Sequence, residues 1–164
     1  MSEIQKLMDE IYKFWNLDEN KNLSKQELRE VVPKVFSEKH LLALRIGDMN
    51  YQIEKGGFER WYDSGYADLD LDPTLDFLVE LKEEEERESI CEIFQILDKF
   101  SARIRDYEET LSESRKLSIL SENNEVFEDC LLNQFYMWIW GLSEEYDEFK
   151  KQFLKDLEEV YFSK

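Results

Sequence analysis

An all-α fold is what this chain of 164 residues predicts, and three observations carry that expectation. Only 5 Gly and 2 Pro interrupt the chain, too few for the turns that an all-β protein requires. Apolar residues recur at intervals of three and four through long stretches otherwise filled by charged residues. Hydrophobic residues make up 42% and aromatics 14% of the sequence, enough for a buried core in a chain the size of one domain. The expectation is a single compact helical domain over residues 1–164, of about six to seven helices with negligible strand.

Residues 3–15 read as the first helix, with Ile4, Leu7, Met8, Ile11, Phe14 and Trp15 on one stripe. The stretch Asn16–Asn22 breaks it. Ser24-Lys-Gln-Glu27 is a capping-box pattern that opens a second helix, expected to end near Val31 ahead of Pro33. A third helix runs from Pro33 or Ser37 to Lys55, burying Leu41, Leu44, Ile46, Met49 and Ile53, and Gly56-Gly57 supplies its left-handed stop. Phe58 to Asp63 forms one or two helical turns, closed by Ser64-Gly65.

Asp72-Pro73 reads as a helix start, a cap residue followed by proline at the first helical position. Ala67 to Leu71, just before it, has extended character. The fourth long helix carries Leu75, Leu78, Val79 and Leu81. A fifth covers 88–110 with Ile90, Ile93, Phe94, Leu97 and Ile104, and no Gly or Pro separates it from the fourth, so the two can be continuous. Residues 111–122 are polar and hold the next connection. Helices at 124–140 and 143–162 complete the chain, the last opened by Ser143 and burying Tyr146, Phe149, Phe153, Leu157 and Val160 or Tyr161. Trp138 and Trp140 cannot face the same way on a helix, so one is expected at a surface and at least one in the core.

Charge is the unusual quantity. The 39 acidic residues against 21 basic ones give a formal net charge of -18, which repels nucleic acid and anionic membranes and attracts basic proteins. Designed soluble domains manage with a net charge of about 2–8. Cys91 and Cys130 match no metal or redox spacing; they read as buried thiols of a reducing cytosol, and the sequence leaves their pairing open. The N-terminal residues MSEIQKLMDE lack a signal-peptide pattern, and the apolar run Phe135 to Leu142 is too short to cross a bilayer. A cytoplasmic protein is expected, as monomer or homodimer.

Catalytic chemistry has little to stand on. His40 is the only histidine, so any Ser-His-Asp or Cys-His arrangement must use it, and it sits at a helix opening with no nucleophile elbow around it. Gly56-Gly57 lacks the further residues of a phosphate-binding loop. Asp18-x-Asn20-x-Asn22 starts like a calcium loop, but Leu23 stands where the sixth-position glycine belongs and Arg29 where the last glutamate belongs. A di-metal carboxylate bundle needs a second histidine. No catalytic, cofactor-binding or metal-binding residue is assigned, and the chain is read as a protein that binds rather than an enzyme.

The strongest local charge lies between residues 68 and 92. Asp68, Asp70, Asp72, Asp76, Glu80, Glu83, Glu84, Glu85, Glu86, Glu88 and Glu92 are opposed there only by Lys82 and Arg87. On a helix, Asp72, Asp76, Glu80, Glu83 or Glu84, and Glu88 recur down one side at roughly 6 Å per step. Like charges at that spacing cost a few tenths of a kcal/mol per pair. A duplex presents a phosphate about every 3.4 Å of axis along each strand. A rigid row of carboxylates can imitate that field, so Asp68, Asp70, Asp72, Asp76, Glu80, Glu83, Glu84 and Glu88 are the candidate partner-binding face.

The segment Met49 to Tyr66 adds a second clue. Gly56, Gly57 and Phe58 are followed by the aromatic pair Trp61 and Tyr62 and by Asp63 and Gly65. This resembles the Asn-Gly-Gly-Phe-type motif of a family of small acidic bacterial and phage proteins, the DNA-mimic protein family, with Lys55 in place of the asparagine. The local match covers some 18 residues, from Met49 to Tyr66. The resemblance implies an all-helical fold and an acidic face that occupies the DNA site of a DNA-binding protein such as a transcription regulator. The charge pattern and the resemblance together make a repressor, a restriction enzyme or a CRISPR effector the expected target. Physically, Gly56, Gly57, Phe58, Trp61 and Tyr62 read as scaffold, a sharp turn followed by a core plug. The expected partner is a basic DNA- or RNA-binding protein, with no direct contact to nucleic acid or membrane. The alternatives are an immunity protein that neutralises a basic nuclease toxin and a carboxylate-based metal-binding helical protein.

Overall fold

The computed structural model describes residues 2–117 and 124–164, and every secondary-structure element among them is helical. Helix α1 (Glu3–Trp15) opens at Ser2, whose hydroxyl accepts the Gln5 N–H at 3.1 Å. The far end of the chain completes that cap: the Glu158 carboxylate accepts the N–H groups of Glu3 and Ile4 at 3.2 and 2.9 Å. Helix α2 (Lys25–Val35) has the expected reciprocal capping box between Ser24 and Glu27. It does not stop at Val31. Pro33 lies inside it, close enough to the C-terminal end that Phe36 still donates to the Val32 carbonyl at 2.8 Å. Burying Val32 with Ile11, Leu28, Leu41 and Leu44 favours the extra turn.

Helix α3 (Glu38–Asp63) starts at Ser37 and is interrupted at Gly56-Gly57, where Gly57 takes φ 72°. Its last turns, Phe58 to Asp63, form the short helical piece expected there. Helix α4 (Tyr66–Glu84) follows Gly65, at φ 82°. Here two expectations are corrected: Ala67 to Leu71 is helical and not extended, and Asp72-Pro73 sits inside α4 instead of opening it. The earlier start places Ala67, Asp70 and Leu71 in the interior.

Helix α5 (Glu88–Leu117) is separate from α4. Glu85 adopts extended backbone, and Arg87 is held by Asp156 and Glu159, so a tertiary clamp makes the break without Gly or Pro. Helix α5 also continues past 110; the rest of the expected connection, 118–122, lies outside the described residues. Helix α6 (Asn124–Leu157) runs without interruption through Gly141 and Ser143, where two helices were expected, and ends in a π turn at Glu158–Phe162.

Helices α3, α4, α5 and α6 close a ring, each packing on the next and α6 returning to α3. Contacts from Arg87 with Asp156 to Arg115 with Glu128 make α5 and α6 antiparallel. Helices α4 and α6 occupy opposite corners of this ring, while α1 and α2 pack on the outside of α3. The interior is aromatic: Phe58 meets Phe100 at 4.7 Å and Tyr146 at 5.8 Å, and Tyr107 stacks on Phe135 at 4.6 Å. Both cysteines are free, and neither is the buried thiol expected: Cys91 is half-buried and Cys130 is exposed. Among the described residues no helix is long and apolar enough to cross a membrane.

Candidate functional site

Helix α4 carries most of the candidate acidic face. Asp68, Asp72, Asp76 and Glu80 are all exposed, four residues apart, and Glu83 and Glu84 extend the exposure to the end of the helix. At 1.5 Å of rise per residue, successive members of the stripe stand roughly 6 Å apart. The two cations that oppose this row in sequence are engaged elsewhere. The Lys82 ammonium lies 4.8 Å over the Phe94 ring, and Arg87 reaches Asp156 and Glu159 at 2.9 Å each. Glu88 is exposed but belongs to the first turn of α5, beyond the break at Glu85, so it does not extend the α4 stripe.

Asp70 is a correction to the candidate set. It is 0% exposed and forms the centre of an internal ion cluster. Arg29 donates to its two oxygens at 2.7 Å each, in the two-pronged geometry that suits guanidinium and carboxylate. The same Arg29 donates to Asp48 at 2.8 Å, and the Tyr12 hydroxyl donates to the other Asp48 oxygen at 2.7 Å. Arg45 stands 3.4 Å from Asp70. Two arginines and two aspartates thus balance in formal charge while tying α1, α2, α3 and α4 together. Burial opposes the charge on Arg29, but Asp70 and Asp48 outweigh it and raise its pKa above the ordinary value. Burial and the Asp48 carboxylate likewise raise Tyr12.

The Gly56-Gly57-Phe58 segment is built as scaffold. Phe58 and Trp61 are fully buried. Tyr62 sits at the edge of the core, 5.1 Å from Phe135, with its hydroxyl donating to Glu108 at 3.1 Å. Burial, then Glu108, raises the Tyr62 pKa, so this phenol holds its proton. The turn is locked from outside: Ser143 Oγ on α6 accepts the Phe58 N–H at 3.0 Å. The serine read as the start of a last helix is therefore a cap for a different one.

His40 has a notable pair of neighbours. Its Nδ1 lies 2.7 Å from Ser37 Oγ and its Nε2 lies 2.5 Å from Glu10 Oε2. Serine, imidazole and carboxylate in that order can relay a proton. Ser37 Oγ, however, also accepts the His40 backbone N–H at 3.1 Å, and Phe36 covers the imidazole at a centroid distance of 4.9 Å. This is the three-residue spacing of a helix cap, with the side chain of the fourth residue folded back onto the first.

The calcium-like stretch is a turn. Asn20 Nδ2 donates to the Phe14 carbonyl at 2.9 Å, Asp18 pairs with Lys21 at 2.7 Å, and Arg29 is in the buried cluster. Among the described residues no three His, Cys, Asp or Glu side chains converge to hold a metal ion.

One surface was missed. Both Trp138 and Trp140 are exposed, which corrects the expectation that at least one is buried; Arg103 lies 4.5 Å over the Trp138 ring. Met137, Trp140, Gly141 and Glu144 fall on one face of α6, a three-, four- and seven-residue spacing that was legible in the sequence. The expected break at 141–143 obscured it, because it placed these residues on two helices. Compared with known proteins, the chain matches no protein-family model, no curated protein and no solved structure.

Proposed function

We propose that this protein is an acidic inhibitor of the DNA-mimic kind, which lays α4 into the basic groove of a DNA-binding protein. The observation that carries the proposal is the stripe Asp68, Asp72, Asp76 and Glu80, exposed along one rigid helix while Lys82 and Arg87 are engaged elsewhere. A groove lined by Lys and Arg to receive phosphates meets in this stripe a comparable run of negative charge. The Gly56-Gly57-Phe58 resemblance supports the same reading. So does the net charge of -18, which rules against nucleic acid as the direct ligand. The inhibitor acts in the cytoplasm, as a monomer or homodimer, on a repressor, a restriction enzyme or a CRISPR effector.

The test is affinity capture from extracts of the host, with partners identified by mass spectrometry. The wild-type chain is compared with a variant carrying Asp72→Asn, Asp76→Asn and Glu80→Gln. Wild-type protein is expected to retain a DNA-binding protein that duplex DNA displaces and that elutes as salt rises. The neutralised variant loses it. Capture of no nucleic-acid-binding protein, or capture indifferent to salt and to the three substitutions, sinks the reading.

A further inference from the structure

We infer that the groove between the Gly56-Gly57 turn and α6 is a second docking site, for a cationic partner segment that carries one large apolar side chain. It lies on the ring corner opposite α4 and does not depend on the α4 reading.

The groove encloses about 360 Å³, within the range of about 300–1,000 Å³ in which ligand pockets fall. Ile53, Ile139 and Trp140 give it apolar walls, and Glu59, Glu144 and Asp147 line it with carboxylates. Those three acids are exposed, and Asp147 has only a loose 3.9 Å pairing with Lys150. A partner side chain that fills the walls therefore brings its flanks against negative charge. Lysine or arginine there is attracted, and aspartate or glutamate is repelled.

Two further features single out this face. Trp140 is 69% exposed and Met137 is 76% exposed, although neither gains anything for the fold by meeting water. Exposed apolar clusters rimmed by polar groups mark interaction sites, and tryptophan is the residue most enriched at their energetic centres. Gly141 then lies beside Trp140 in the interior of a long helix, where glycine is less favourable than alanine. A side chain added there meets nothing within 4 Å, so packing within this chain does not call for glycine. Close approach of another backbone does.

The occupant is not a second copy of this chain. A partner carrying the same net charge of -18 and the same acidic rim would meet repulsion at the very contacts that the groove offers.

Labelled helical peptides of about 15 residues serve as probes: an amphipathic Lys/Leu peptide, its Glu/Leu counterpart and a Lys/Ser peptide without the apolar face. Fluorescence anisotropy follows the peptide, and tryptophan emission follows the protein. The Lys/Leu peptide is expected to bind and perturb the emission, and the other two to bind at least about tenfold more weakly. Trp140→Ala, and separately Glu144→Gln with Asp147→Asn, weaken binding about tenfold. Gly141→Lys, a substitution into open space that leaves the core untouched, does the same and keeps the test decisive should Trp140→Ala misfold. The α4 variant with Asp72→Asn, Asp76→Asn and Glu80→Gln binds as wild type does, so failure here and failure of the α4 reading are distinguishable. Equal binding of the Lys/Ser peptide, or no loss with Gly141→Lys, overturns the inference. A sedimenting dimer that Gly141→Lys dissociates also overturns it, by assigning the groove to a second copy.

Discussion

Ser143 and Phe58 are joined across 85 residues of sequence by one hydrogen bond, in which the Phe58 backbone N–H donates to the Ser143 hydroxyl at 3.0 Å. The bond is possible because Gly57, between the two helical parts of α3, carries no side chain: a Cβ there would stand 2.9 Å from the same Ser143 oxygen. The glycine also holds φ at 72°, which other residues adopt at a cost. Gly57→Ala is therefore expected to destabilise the protein by about 1–3 kcal/mol. Ser143→Ala, which leaves a backbone donor without its partner, should cost about 1–3 kcal/mol. Urea unfolding of the two variants and of their combination checks this. The combined loss should fall short of the sum, because both changes act on one contact.

Arg29 is the hub of the buried cluster, and removing it leaves Asp48 only its Tyr12 hydrogen bond and Asp70 only the looser 3.4 Å pairing with Arg45. Arg29→Met is expected to cost about 3–5 kcal/mol, the range for breaking a buried pair from one side. Replacing Arg29, Arg45, Asp48 and Asp70 together by apolar residues of similar volume should recover much of that loss. A quadruple variant no more stable than Arg29→Met in the same urea titration would show that the cluster does more than balance charge.

Asp156 makes stability depend on acid. Burial raises its pKa, but hydrogen bonds from Ser89 at 2.6 Å, Gln152 at 3.0 Å and Arg87 at 2.9 Å outweigh burial and hold it below the ordinary value of 3.8. The folded state therefore releases this proton more readily than the unfolded chain does. Its contribution is complete above pH 3.8 and is lost as pH falls below that value through the folded pKa. Unfolding free energy measured from neutral pH down into this window should fall less steeply for Asp156→Asn than for wild type. Parallel curves would count against it.

Ser37 separates a capping role from a chemical one. As a cap, Ser37→Ala should lower stability by about 0.5–2 kcal/mol. Wild-type protein should not react with a serine-directed fluorophosphonate probe, because the Ser37 hydroxyl is held in the helix turn. Labelling that Ser37→Ala and His40→Ala both abolish would reassign the Ser37, His40 and Glu10 chain to catalysis.

Where local chemistry decides, the sequence was sufficient. The Ser24 capping box, the Gly56-Gly57 turn and the apolar stripe of α1 all stand where their residues put them. Misreadings fall where a distant residue decides. Ser143 looks like the start of its own helix, and nothing adjacent to it reveals that its hydroxyl serves Phe58. Asp72-Pro73 resembles a helix start, yet α4 opens earlier and carries Asp70 inward to Arg29, 41 residues away. In the candidate site the same limit applies. Asp68, Asp70 and Asp72 are indistinguishable in a charge count, and only the position of Arg29 makes the middle one interior. The break between α4 and α5 is set in the same way, by Asp156 and Glu159 holding Arg87.

The cap on α1 has a consequence for how the molecule is made. Glu158 supplies the acceptor for the N–H groups of Glu3 and Ile4, 155 and 154 residues away. A ribosome delivers α1 before Glu158, so this bond cannot close until the helices between them have been made. Of the helices described, α1 is made before the others yet is among the last to be finished, and its first turn stays open to water until Glu158 arrives.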